Sequence, residues 1–160
     1  MIWKWLTVNV LTVLIILVWS QIQGYESNNV LLGKLLAQMA FILFLINLNM
    51  YFVFLMIRKS KIRQVKVKLA KISKRMMKYH IPIAMTATGL ILFHAGIMIN
   101  AYWGNLYNMK LTSGYLGFVL LAILLFSGLL RRRKATGKRR KFHYVMAFVF
   151  FAIVLIHIFL

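Results

Sequence analysis

The sequence predicts an all-α integral membrane protein, a bundle of five transmembrane helices with its N-terminus inside and its C-terminus outside. Of its 160 residues, 62% are hydrophobic. Its 21 Lys and Arg face one acidic residue, Glu26, so the formal net charge is +20. A soluble domain carries about 25% charged residues of both signs. A nucleic-acid binder of this charge would not be so apolar, so nucleic acid is not an expected partner.

Five apolar segments define the predicted bundle, because a helix of roughly 20 apolar residues crosses a bilayer core of about 30 Å. No sequence repeat or low-complexity tract is evident, and residues 1–160 are interpreted as a single membrane domain. The predicted spans cover residues 2–20, 30–57, 81–103, 111–130 and 142–160.

The first span has Trp3 and Trp5 at one end and Trp19 at the other, which fits the aromatic belts of two membrane interfaces. A cleaved signal peptide is the alternative for this segment. Its basic region would hold only Lys4, and no clear A-x-A cleavage site follows. We therefore expect the segment to be a retained span.

The next two spans each contain one unusual residue. The second has Lys34 near its start and is long enough to be tilted in the bilayer. The third has the only proline, Pro82, at its start. Helices tolerate proline in the first turn, so this position predicts a helix that begins there.

The orientation follows from the positions of the basic residues. Ten of the 21 lie in Arg58–Lys78 and eight more lie in Arg131–Lys141. Positive loops stay in the cytoplasm, and two spans separate these loops, so both can lie inside at once. The third and fifth helices are therefore predicted to run parallel, from inside to outside.

A basic helix is predicted in residues 60–78, between the second and third spans. Apolar residues recur there at intervals of 3, 4, 3 and 4, which gives one apolar stripe surrounded by Lys and Arg. We expect this helix to lie on the anionic inner leaflet, and a solvated basic connector is the alternative. The stripe consists of Ile62, Val65, Leu69, Ile72 and Met76.

The four histidines form two pairs with the same spacing. His80 and His94 lie in the third span, His143 and His157 in the fifth, and each pair is 14 residues apart. At about 100° and 1.5 Å per residue, both members of a pair share one helix face and lie about 21 Å apart. In parallel helices His80 is level with His143, and His94 is level with His157.

Two levels with one imidazole from each helix would suit two b-type haems, since each haem iron takes two axial ligands. Interhelical hydrogen bonding is the structural alternative for the four rings. A zinc, copper or proton-relay site is the other, but no cysteine or intramembrane carboxylate is present to complete it. The residues expected to pack against the haems are Ala84, Ala87, Gly89, Ala147 and Phe150, with Phe150 halfway between its helix's two ligands.

Two basic residues lie next to the inner ligands in the sequence. Lys78 and Lys141 each come two residues before a histidine. They are candidates to contact haem propionates or an acidic electron donor, whereas enforcing orientation is the simpler role. The basic loops as a whole are expected to contact anionic lipids.

This pattern resembles the ferric reductase-like transmembrane domain superfamily of dihaem cytochromes b. That superfamily includes NADPH oxidases, metalloreductases and the haem-binding membrane subunit of the bacterial periplasmic methionine sulfoxide reductase system. The resemblance covers residues 79–160 well and the first two helices only by number and order. It implies that His80 and His143 ligate an inner haem, and that His94 and His157 ligate an outer one. The chain would be a minimal form, without the family's usual sixth helix and without the flavin domain of many members.

The leading functional hypothesis is an electron-transfer protein, or the haem-binding subunit of an oxidoreductase, in a bacterial plasma membrane. Its electron donor would be a separate flavoprotein or a quinol, because no G-x-G-x-x-G motif is present. A quinone-linked membrane-anchor cytochrome b is the second hypothesis, and a haem-free basic scaffold is the third. Self-association through glycines on the third or fourth span is open. Candidate quinone contacts in the outer loop are Tyr102, Trp103, Asn105 and Tyr107.

Overall fold

The computed structural model describes residues 2–160, without the side chains of Ile2, Trp3, Lys4 and Leu6. The interface role expected for Trp3 and the charge of Lys4 therefore lie outside the described residues. In the described part the chain is helical and contains no strand. Its elements are α1 (Ile2–Ile22), α2 (Asn28–Lys59), α3 (Arg63–Ala101), a 3₁₀ turn (Trp103–Asn105), α4 (Met109–Arg133) and α5 (Gly137–Phe159).

Helices α2, α3, α4 and α5 are long and apolar enough to cross a membrane. α2 has 32 residues and α3 has 39, which correspond to helices of about 48 and 58 Å. Both exceed the roughly 30 Å of a bilayer core. The described side chains of α1 form a shorter apolar helix, Thr7–Ile22, so the first span remains a prediction.

Short polar residues begin three of the helices. The side chains of Ser27, Asn108 and Thr136 each accept a hydrogen bond from a backbone N–H in the first turn of α2, α4 and α5. These caps satisfy amides that have no partner within the helix. The turn before α2 passes through Gly24, whose φ of +62° favours glycine, and its carbonyl accepts from Lys34 Nζ.

The basic segment is not a separate helix. The expected break between residues 78 and 81 is absent, and the basic residues continue directly into the third span as the first half of α3. Pro82 therefore lies inside a helix rather than in a first turn. It has no N–H to donate to the carbonyl of Lys78, four residues earlier. Helical packing on both sides of Pro82 overrides this local signal.

The apolar stripe of the basic segment packs partly within the protein. Leu69 is buried in a cluster with Val53 and Met56 of α2, and Val65 and Met76 pack against the same cluster. Ile62 and Ile72 are exposed instead. Part of the stripe expected to contact the inner leaflet therefore covers the C-terminal end of α2.

Two compact units divide the described chain, one ending at Ile97 and the other spanning Met98–Leu160. In the first unit α1 packs on α2. Asn49 Nδ2 donates to Asn9 Oδ1 at 3.0 Å, and the rings of Trp5 and Phe52 lie 6.1 Å apart. In the second unit α4 and α5 pack along each other as a hairpin.

Candidate functional site

In the second unit His143 is held by a serine of the preceding helix. Ser127 Oγ lies 2.8 Å from His143 Nδ1 and 2.6 Å from the carbonyl of Leu124. A carbonyl only accepts, so the single hydroxyl hydrogen of Ser127 goes to Leu124. The hydroxyl oxygen must then accept from the ring, which places a hydrogen on His143 Nδ1.

His157 has the same arrangement one repeat further along the hairpin. Ser113 Oγ lies 2.9 Å from His157 Nδ1 and donates to the carbonyl of Lys110 at 2.7 Å. The two serines are 14 residues apart on α4, as are the two histidines on α5. Because the helices are antiparallel, the equal intervals bring each histidine to its own serine.

A glycine follows each of these serines and gives the imidazole room. A Cβ added at Gly114 would lie 3.3 Å from Cε1 of His157, and one added at Gly128 would lie 3.4 Å from Cε1 of His143. The distance at Gly114 is tighter than ordinary van der Waals contact, and the distance at Gly128 lies at its lower limit. The Ser-Gly dipeptide of α4 therefore provides a hydrogen-bond acceptor and a flat backbone surface for each ring.

In the first unit His94 reaches a backbone carbonyl instead. Its Nδ1 lies 2.9 Å from the carbonyl oxygen of Gly33, a buried residue of α2. The carbonyl accepts, so His94 Nδ1 also bears a hydrogen. In the neutral form of all three rings, His94, His143 and His157, Nε2 then carries the lone pair.

The backbone at His80 contacts α2 as well. Asn47 Nδ2 donates to the carbonyl oxygen of His80 at 3.1 Å. Gly33 and Asn47 are 14 residues apart on α2, and His94 and His80 are 14 apart on the antiparallel α3. Helices α3 and α5 thus each contact the preceding helix at two positions that are 14 residues apart.

The imidazoles of His94, His143 and His157 have the donor chemistry that a b-type haem requires. Iron takes a lone pair from a neutral imidazole, and a hydrogen bond from the other ring nitrogen commonly fixes the tautomer. Two histidines of one helix lie about 21 Å apart, so they cannot bind the same iron. Among the described residues no cluster of three or more His, Cys, Asp or Glu is placed to hold a metal ion.

The residues predicted to pack against haems differ in exposure. Ala87 and Phe150 are buried, while Ala84, Gly89 and Ala147 are half-buried. A Cβ added at Gly89 would have no neighbour within 4 Å, so this glycine leaves open space beside α3.

The predicted charged and polar contacts lie on the surface. Lys78 and Lys141 are both exposed, and Lys78 Nζ lies 5.8 Å from the centroid of the Tyr79 ring. In the loop before α4, Trp103 and Tyr107 are exposed by 70% and 96%, Asn105 is exposed and Tyr102 is half-buried.

Reasoning from sequence missed Ser113 and Ser127. Small hydroxyl residues are common in membrane helices, so neither stands out by itself. The signal was the Ser-Gly dipeptide repeated after 14 residues, the same interval that separates the histidines of the next helix. Gly114 and Gly117 both face α5, Gly114 at His157 and Gly117 at Ile153.

Comparison of the chain with family models, with curated proteins and with solved structures finds no match.

Proposed function

We propose that the protein is a dihaem b-type transmembrane cytochrome. It carries electrons across the membrane from a cytoplasmic-side donor, a separate flavoprotein or a quinol, to an external acceptor. The observation that carries the proposal is the contact of Nδ1 with an acceptor of a neighbouring helix in His94, His143 and His157. Each directs its Nδ1–H to a neighbouring helix, so each presents the lone pair of Nε2.

Hydrogen bonds of this kind also have a simpler role, which is to join helices in a membrane. That role would not require four imidazoles, since serine, asparagine or threonine makes such bonds without an ionisable ring. Ionisable residues are costly within a span and usually functional. Four of them at one repeated interval, three in one tautomer, favour ligation over helix joining.

We assign His80 and His143 to one haem and His94 and His157 to the other. The assignment depends on the predicted orientation, in which Arg58–Lys78 and Arg131–Lys141 both face the cytoplasm. The first pair then lies nearer the cytoplasmic surface. This arrangement is also what the resemblance to ferric reductase-like domains implies.

Bound haem supplies reversible one-electron chemistry between ferric and ferrous iron. The chain's own residues bind and orient it. The histidines would donate Nε2 lone pairs, and Lys78 and Lys141 would pair with propionates or attract an acidic donor. The apolar surface against the haems would come from Ala84, Ala87, Gly89, Ala147 and Phe150. The apolar spans exclude water, and Glu26 is the one acidic side chain in the sequence.

A quinone-linked membrane-anchor cytochrome b is the second candidate. The exposed Trp103 and Tyr107 favour it, since an aromatic loop can contact a quinone ring and a phenol can donate a hydrogen bond to it. Inhibition of haem reduction by a quinol analogue would favour this candidate over direct reduction by a flavoprotein.

The test uses the haem-loaded protein in liposomes that enclose ferricyanide, with dithionite added outside. Neither reagent crosses the bilayer quickly, so reduction of the enclosed ferricyanide reports electron transfer through the protein. We expect rapid reduction with the native protein and loss of it in His94→Ala. Liposomes without protein provide the control.

Two results would contradict the proposal. One is a protein that binds no haem after expression with haem supplied, as the basic scaffold hypothesis predicts. The other is a two-haem protein whose liposomes reduce ferricyanide no faster than empty ones.

A further inference from the structure

We propose that Ser113 and Ser127 are positioning residues that would orient His157 and His143 as haem ligands and set the electron donation of each imidazole. This inference rests on the proposed function, because it concerns how the chain prepares its histidines for haem iron. It assigns a role to two residues of α4 that do not themselves approach the iron.

The hydrogen bonds of both serines have a defined direction. Each serine donates its only hydroxyl hydrogen to a backbone carbonyl of its own helix. Ser113 donates to Lys110, and Ser127 donates to Leu124. The ring nitrogen must therefore be the donor in both contacts. A serine with its hydroxyl tied in this way selects one histidine tautomer, and the selected tautomer has its lone pair at Nε2.

Both serines lie where α4 contacts α5. Ser127 is only 1% exposed, and Ser113 is half-buried. A buried hydroxyl is costly unless it is hydrogen-bonded, and apolar side chains fill helix interfaces at lower cost. The same polar residue at both positions, 14 residues apart, indicates that the bond to the ring is the reason for its presence.

A glycine follows each serine on α4. Gly114 and Gly128 leave Cε1 of each imidazole against bare backbone, at distances that a Cβ would make tight. The ring is thus restrained from two sides, by the hydroxyl at Nδ1 and by the helix backbone at Cε1. Two restraints fix both the tautomer and the rotation of the ring.

The consequence is chemical as well as geometric. A hydrogen bond donated by Nδ1–H raises the basicity of the imidazole at Nε2. A more basic ligand stabilises ferric iron over ferrous iron and lowers the reduction potential of the haem. Loss of the serine hydroxyl should therefore raise the reduction potential of the haem whose histidine it contacts.

The experiment is a redox titration of the visible spectrum of the haem-loaded full chain, with Ser113→Ala and Ser127→Ala compared with the native protein. We expect each variant to raise one of the two midpoint potentials, and the two variants to affect different haems. Removal of a partner of this kind costs about 10–100-fold in metal affinity, and the loss falls more on the ferric form, which the more basic ligand stabilises. A tenfold change in the ferric-to-ferrous preference corresponds to about 59 mV for a one-electron couple.

Two further variants separate positioning from folding. Ser113→Thr and Ser127→Thr keep the hydroxyl and should restore the native potential. Thr112→Ala is the matched control, because Thr112 is exposed and its hydroxyl bonds only to the carbonyl of Asn108 in its own helix. It should leave both potentials unchanged.

Each outcome bears either on the role of the two serines or on the cytochrome proposal. A raised midpoint potential in a serine-to-alanine variant supports the inference. Loss of one haem from that variant supports it equally, provided that the matching threonine variant keeps both haems. Two bound haems with native potentials in both alanine variants would overturn it and leave the cytochrome proposal standing. A native protein without haem would refute the cytochrome proposal instead.

Discussion

Gly114 offers a direct test of how closely α4 approaches a histidine. In Gly114→Ala the new Cβ would lie 3.3 Å from Cε1 and 3.7 Å from Nδ1 of His157. Gly117, three residues later on the same helix, is the matched control. A Cβ added there would meet only Cγ2 of Ile153 at 4.0 Å, which is an ordinary contact.

The expected magnitude follows from the difference between these two variants. Replacing glycine by alanine within a helix favours the helix by about 0.8–1.0 kcal/mol, and this gain is common to both. Only Gly114→Ala adds crowding against the imidazole, and overpacking costs about 1–3 kcal/mol. Gly114→Ala should therefore be less stable than Gly117→Ala by about 1–3 kcal/mol.

The assay is reversible unfolding of the full chain in mixed detergent micelles, monitored by circular dichroism. The difference in the free energy of unfolding between the two variants isolates the crowding term. Equal stabilities would refute the close approach of Gly114 to His157. A Gly114→Ala variant more stable than Gly117→Ala would also contradict it.

The other predictions concern the basic half of α3 and the surface lysines. Because the chain has no cysteine, spin labels can be placed at the exposed Val67 and Leu92, and a continuous helix puts their backbones about 37 Å apart. A pulsed electron resonance distance below about 30 Å would indicate instead a basic segment bent towards the membrane plane. Lys78→Glu and Lys141→Glu should slow haem reduction by an acidic donor by up to about tenfold at low salt, and less at high salt. Lys68→Glu makes the same change of charge further from His80, and an equal effect from it would argue against a specific docking position.

The sequence predicted the helices well because long apolar segments leave few alternatives. α2, α4 and α5 extend two to five residues beyond their predicted starts, into polar residues that cap them or begin the first turn. The error was at α3, where Pro82 and the clustered charges both indicated a boundary. Packing of Leu69 against Val53 and Met56 stabilises the basic half as a continuation of the span.

The histidines could be chosen from sequence because ionisable residues are rare in apolar segments and their spacing repeats. The hydrogen-bond partners of these histidines could not all be predicted in this way. Ser113 and Ser127 can be recognised as histidine partners only when α4 is known to pair antiparallel with α5, because this pairing brings each serine to one imidazole. The contact of His94 with the carbonyl of Gly33 could not be predicted from the sequence, because every residue has a carbonyl. Only the packing of α2 on α3 selects this one.

The central claim is that four histidines ligate two haems, one from each helix per haem. The most direct test is haem stoichiometry combined with redox titration in four single alanine variants, at His80, His94, His143 and His157. We predict about two haems per chain in the native protein and one in each variant. His80→Ala and His143→Ala should lose the same haem, and the other two variants the other. Native haem content in any of the variants, or a different pairing of the losses, would contradict the account.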